Sequence, residues 1–221
     1  MIAAELINQM IPPLKLSDPV SKAIQWMEEL RVRQLPVIHQ DAYQGLILED
    51  NIYQLNNQQA SVADLSLQFK DVFIRHTQHF YEILRLASLN QLRVMAVIGE
   101  EQNFLGVVTV SDTLLAFADS LSMRDPGGIL VLLLDYRDYS LAEISRLVES
   151  NDAKILNTNV STDKDETDKL RITLKINKTD LSRIVATFER FNYRIVAKFQ
   201  PSDFQEMDKE RLDLLFKYLY I

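Results

Sequence analysis

Phe104-Leu-Gly-Val-Val-Thr-Val-Ser-Asp112 reads as an apolar strand holding one glycine, then a threonine and an aspartate three positions apart where a helix begins. Gly106 lets the backbone be approached closely by a ligand. Thr109 and Asp112 place a hydroxyl and a carboxylate at the mouth of the helix, whose first N–H groups favour anions. Such an arrangement can hold a sugar and a phosphate. The same residues also read as a strand, a turn and a cap, with Asp112 merely capping a helix that runs through Phe117.

The stretch is the second of a pair. Leu35-Pro-Val-Ile38 lies 60 positions before Met95-Ala-Val-Ile98, and Gly45 of Gly45-Leu-Ile-Leu-Glu-Asp-Asn51 lies 61 before Gly106. A helical pattern precedes each short strand, with Ala23, Ile24, Met27 and Leu30 in the first copy and Ile83, Leu84 and Ala87 in the second. In each copy the spacing gathers the apolar side chains on one helix face. Each copy reads strand, helix, strand, strand, helix, and is too small to bury its sheet alone.

On these residues the segment of about 1–120 resembles a tandem pair of CBS domains, with repeats expected at 1–60 and 61–120. The matching pieces are Leu16-Ser-Asp-Pro-Val-Ser-Lys-Ala-Ile24, Arg33-Gln-Leu-Pro-Val-Ile38 and, above all, Gly106-Val-Val-Thr-Val-Ser-Asp112. The resemblance implies that the repeats pack sheet to sheet and that the cleft between them can take an adenosine-containing ligand. It implies a phosphate contact from Thr109, a ribose acceptor in Asp112, and Ser111 beside them. The adenine would then lie against Ile11, Leu14, Val32 and Leu35.

The first repeat departs from this pattern. Leu48, Asp50 and Asn51 stand where the second has Thr109, Ser111 and Asp112. An isobutyl group in place of a phosphate-facing hydroxyl costs a bound nucleotide on the order of 1–3 kcal/mol, so one competent site per chain is expected. A one-residue slip on a strand reverses its face, so Asp50 is expected to cap the following helix rather than serve as a displaced ribose acceptor.

Composition excludes several classes. The chain has no cysteine, which removes disulfides, thiolate nucleophiles and Cys metal sites together. A formal net charge of −7, with the cations interspersed, argues against nucleic-acid binding. No apolar run approaches the roughly 18–20 residues needed to cross a bilayer, and the start Met1-Ile-Ala-Ala-Glu5 lacks a signal-peptide pattern, so a cytoplasmic protein without membrane contact is expected. Of the histidines, His39, His76 and His79, only the last two are close, and their spacing gives no shared ligand face, so no metal site is expected. With no Ser/His/Asp motif, phosphate-binding loop or paired-carboxylate pattern, neither catalytic residues nor a required cofactor are expected.

Met123-Arg-Asp-Pro-Gly-Gly128 reads as a linker, placed at 121–128. Beyond it, the run Ile129–Leu134 reads as a strand, Ser140 as a cap with Glu143 completing a capping box, and Leu141, Ile144, Leu147 and Val148 as one helix face. Ala153–Ser161 and Leu170–Ile176 read as strands around a charged turn, 162–168, expected to be a solvated hairpin tip. A helix at Asp180–Phe191 and a strand at Tyr193–Phe199 complete βαββαβ over 129–200. That order is ferredoxin-like, and its position after the repeats resembles the ACT domains of proteins similar to acetoin-utilisation regulatory proteins. The turn Asp135-Tyr-Arg-Asp-Tyr-Ser140 lacks the glycine usual in amino-acid-binding ACT domains. Residues 201–221 read as a terminal amphipathic helix carrying Phe204, Met207, Leu214, Leu215, Tyr218 and Leu219.

The expected fold class is therefore α/β (α+β). The expected function is a non-catalytic sensor that binds AMP, ADP, ATP or another adenosyl ligand and passes occupancy to its dimer or to an unidentified protein target. A homodimer is expected because Ile129–Leu134 is more apolar than a half-exposed strand requires. Two alternatives stand beside this reading: an interaction scaffold with vestigial clefts, and an amino-acid sensor acting through the ACT-like domain.

Overall fold

Short apolar strands alternating with amphipathic helices give the order β1 (Leu14–Lys15), α1 (Val20–Leu30), β2 (Gln34–His39), β3 (Ala42–Leu48) and α2 (Glu49–Leu55). The order then repeats as β4 (Ile74–Arg75), α3 (Phe80–Asn90), β5 (Val94–Ile98), β6 (Phe104–Thr109) and α4 (Val110–Ser120). The computed structural model describes residues 1–55 and 60–201, and the chain divides after Phe117 into two units. The segment carrying Phe204 to Leu219 lies outside the described residues.

The two repeats are built alike. α1 buries Val20, Ala23 and Met27, and α3 buries Phe80, Ile83 and Ala87; of the stripes expected from the sequence, Ala23, Met27, Ile83 and Ala87 are buried, and Ile24, Leu30 and Leu84 are half-buried. Each helix ends on a left-handed residue, Arg31 at φ 54° and Gln91 at φ 55°. Each sheet has three strands, the first parallel to the second and the second antiparallel to the third.

The boundary between the repeats is crossed by the chain itself. Residues ahead of β1 belong to the second repeat. Ala3 and Ala4 donate their N–H groups to the carbonyls of Gln78 and His76 at 2.9 and 3.0 Å, and Asn8 donates to Val107 at 2.7 Å. The equivalent residues ahead of β4 lie on the first repeat, where Leu46 and Gln68 exchange both backbone hydrogen bonds at 2.7 and 2.9 Å. The glycines make this possible. At Gly106, φ +151°, an added Cβ would meet Ile7 Cγ2 at 2.6 Å; at Gly45, φ +138°, it would meet the Gln68 carbonyl oxygen at 2.7 Å. The cores interlock in the same way. Val94 and Val107 pack among Leu14, Val37 and Ile47 of the first repeat, and Leu46 packs among Ile74, Met95 and Val108 of the second.

The second unit runs β7 (Gly128–Asp135), α5 (Leu141–Glu149), β8 (Ile155–Thr162), β9 (Lys169–Ile176), α6 (Ser182–Arg190) and β10 (Arg194–Phe199). Its sheet has the order β10-β7-β9-β8, with every neighbouring pair antiparallel, which is the ferredoxin-like topology. Leu130, Leu132 and Leu134 pack with Ile172 and Leu174 of β9, Ile144 and Leu147 of α5, and Phe188 of α6. The intervening Leu133 points to the opposite face, directly between Arg171 and Arg194. On that face Leu133 is thus flanked by long cationic side chains, whose stems are apolar, whereas Val131 lies between Thr173 and Ala197.

Two local expectations are corrected. Ser140 Oγ accepts from Glu143 N at 3.3 Å, but the reciprocal half of the capping box is not made; Glu143 turns instead to Arg146 and the Tyr193 hydroxyl. The charged turn is not merely a solvated tip. Asp163 is 3% exposed and anchors it, accepting from Asp165 N and Glu166 N at 3.0 Å each and from Arg171 Nε at 2.7 Å. Glu166 pairs with Lys169 and, at 2.8 Å, with Arg194. Among the described residues, no helix is long and apolar enough to cross a membrane.

Candidate functional site

β6 delivers Thr109 to the start of α4 by pairing it with Val94. Thr109 Oγ1 accepts from Asp112 N at 2.9 Å and donates to Asp112 Oδ2 at 2.8 Å. The two residues therefore do form a helix cap. The same carboxylate oxygen takes a second donor: Asn8 Nδ2 donates to Asp112 Oδ2 at 2.7 Å. Asp112 Oδ1 accepts no hydrogen bond from the described residues.

This geometry divides the roles expected of the motif. The single hydroxyl proton of Thr109 is committed to Asp112, so its use on a phosphate requires breaking that bond. The exposed Ser111 hydroxyl makes no hydrogen bond among the described residues and sits in the first turn of α4, where the backbone favours an anion. The close approach at Gly106 is taken up by Ile7 of the chain itself.

At the equivalent place in the first repeat, Leu48 faces Gln34 across the ladder as Thr109 faces Val94. Asn51 Oδ1 accepts from Leu48 N at 3.1 Å, while Asp50 is exposed in the first turn of α2. The side-chain bond to the backbone at this helix start is made by Asn51 and not by Asp50, because position three of the helix, not position two, turns back toward the strand. No hydroxyl accompanies it.

The residues expected to flank adenine are scattered in exposure. Leu14 and Leu35 are 0% exposed and Ile11 6%, all in the core shared with Val94 and Val107. Leu14 and Leu35 therefore present no surface to a ligand in this conformation. Val32 is half-buried and lines a cavity of about 530 Å³ together with Ile24, Met27, Ile52 and Tyr53, between α1 and α2. The structure brings Thr109, Ser111 and Asp112 together, while Leu14 and Leu35 stand buried in the core that also holds Val94, the ladder partner of Thr109. Two residues to which the sequence assigned no site role do belong here: Asn8, and Gln34, whose Oε1 accepts from Arg93 N and Val94 N at 2.8 and 3.1 Å and ties the two repeats next to Thr109. Gln34 had a signal, being polar where its repeat counterpart is Val94; Asn8 had none.

No protein-family model matches the chain. Among solved structures, a CBS domain pair/ACT domain protein from Thermotoga maritima is 20% identical, covers 55% of this chain and 99% of its own, and superposes with a TM-score of 0.51. A structure of CBSX2 in complex with AMP is 17% identical over 53% of this chain and 96% of its own, with a TM-score of 0.47. With its paired strand-helix-strand-strand-helix repeats, the first unit of this chain has the fold of a CBS-domain pair.

Proposed function

We propose that the chain is a non-catalytic regulatory protein that binds one adenine nucleotide, AMP, ADP or ATP, or another adenosyl ligand, at the Thr109–Asp112 end of the second repeat. Asp112 accepts from a ribose hydroxyl, and the Ser111 hydroxyl with the start of α4 receives phosphate. The observation that carries this reading is the asymmetry of the pair. The second repeat offers an unused carboxylate oxygen beside a free hydroxyl at a helix start, and the first offers Leu48 and Asn51. Occupancy is passed to a homodimer or a protein target by differential binding, with a coupling of about 1–3 kcal/mol. The setting is the cytoplasm, away from nucleic acid and membrane.

Calorimetric titration of the full chain with AMP, ADP, ATP and the common amino acids tests this. One equivalent of an adenine nucleotide is expected, and two equal equivalents refute the asymmetry argument. A scaffold reading, with vestigial clefts and partner binding through residues 201–221, draws support from the Thr109–Asp112 cap, which is satisfied without ligand. Failure of every nucleotide selects it. Heat from an amino acid alone selects sensing by an ACT-like second unit.

A further inference from the structure

Asn8 lies in none of the repeated motifs, yet its amide is held at both ends. Its Oδ1 accepts from Met10 N at 2.8 Å, which fixes the opposite end of the amide as the donor, and that Nδ2 reaches Asp112 Oδ2 at 2.7 Å. Thr109 Oγ1 donates to the same oxygen. Two donors therefore load Oδ2 and leave Oδ1 as the acceptor. The segment bearing Asn8 is itself docked on the second repeat, through the Asn8 N–H to Val107, Ile7 over Gly106, and the Ala3 and Ala4 bonds. The first repeat lacks this device: Gln68 occupies the corresponding bridge to Leu46, and Asn51 turns its oxygen to Leu48 N instead.

We propose that Asn8 is a positioning residue for the ligand site, holding the Asp112 carboxylate so that Oδ1 faces a ribose hydroxyl and making that orientation depend on the docking of residues 2–8. This rests on the nucleotide reading above. The amide contributes no charge of its own, so it orients the acceptor without neutralising it.

The test uses the full chain, with AMP at pH 7.5 and uncharged adenosine across pH 5.5–7.5 so that phosphate does not titrate. Asn8→Ala is expected to weaken AMP binding about tenfold, the loss of one hydrogen bond to a charged group. Asn8→Asp keeps the size and the acceptor for Met10 N but sets two carboxylates against each other. Such a pair shares a proton at a raised pKa, so adenosine binding by Asn8→Asp is expected to be weak at pH 7.5 and to recover as the pH falls. The profile reads whether the Asp112 carboxylate at this contact governs binding, and the loss in Asn8→Ala reads the wild-type amide; adenosine affinity independent of pH in Asn8→Asp counts against the assignment. His76 and His79, whose backbones hold Ala4 and Ile2, are common to the wild type and the variants, so the comparison with the wild type removes any part they play. Wild-type binding with both variants unchanged at every pH overturns the role of Asn8 alone. A wild type that binds neither AMP nor adenosine refutes the nucleotide reading and this inference with it.

Discussion

Gly45→Ala and Gly106→Ala are matched perturbations at equivalent points of the two repeats, and the structure orders their costs. Both residues sit at positive φ, +138° and +151°, so alanine introduces backbone strain on the order of 1–3 kcal/mol at either site. The neighbours differ. At Gly106 the new methyl meets Ile7 Cγ2 at 2.6 Å, a side-chain atom that can give way by rotation. At Gly45 it meets the Gln68 carbonyl oxygen at 2.7 Å, which is already bonded to Leu46 N in a two-way bridge. Backbone has nowhere to move without losing that bridge, two hydrogen bonds worth about 0.5–1.5 kcal/mol each. Gly45→Ala is therefore expected to cost roughly 1–3 kcal/mol more than Gly106→Ala. The chain has a single tryptophan, Trp26 in α1, so urea unfolding followed by its fluorescence reports the first unit. Equal costs, or a larger cost at Gly106, refute the argument that the bridge is what the glycine protects.

Asp112→Ala is expected to weaken nucleotide binding by about 1.5–3 kcal/mol, and Asn51→Ala to leave it nearly unchanged; calorimetry that finds the reverse order places the competent cleft in the wrong repeat. Asp163 is held below the usual aspartate range by the Glu166 N–H and then by Arg171, and Glu166 is lowered by Lys169 and Arg194. Groups with lowered folded pKa values stabilise the fold fully above the ordinary carboxylate range of about 4 and lose that contribution as pH falls through the lowered values. The 162–169 hairpin should then open in acid before its sheet does, and amide protection at Asp165 and Glu166, taken relative to the intrinsic exchange rate at each pH, that is as high at pH 2.5 as at pH 6 counts against it. Phe188→Ala, at a fully buried ring packed 5.2 Å from Tyr193, is expected to cost about 3–5 kcal/mol in the second unit, read by urea unfolding in near-ultraviolet circular dichroism. Sedimentation at tens of micromolar is expected to find a homodimer that weakens when residues 129–221 are removed; a monomeric full chain removes the dimer from the proposal.

The periodic parts of the fold were legible in the sequence because they are local. The spacing of Ala23 and Met27, the glycine recurring at 45 and 106, and the alternation of Leu170, Ile172 and Leu174 each state their own environment. What escaped is set by distant partners. No pattern around Asn8 announces a carboxylate 104 positions away. Leu14 and Leu35 looked like surface for an adenine because apolar residues near a cleft look the same whether they line it or support it. Asp163 looked solvated because its neighbours are charged, and only the placement of Arg171 across the hairpin shows it to be an anchor.

The exchange of leading segments between the repeats has a kinetic consequence. Residues 2–8 are made well before the strand they dock on, which ends at Thr109, so they wait for nearly the whole first unit to be made. The second repeat can close over Gly106 only when this earlier segment returns to it, and such late, non-local closure makes folding slow. A chain beginning a few residues later would lose little mass, yet it would leave Val107 without its backbone partner and Asp112 without one of its donors.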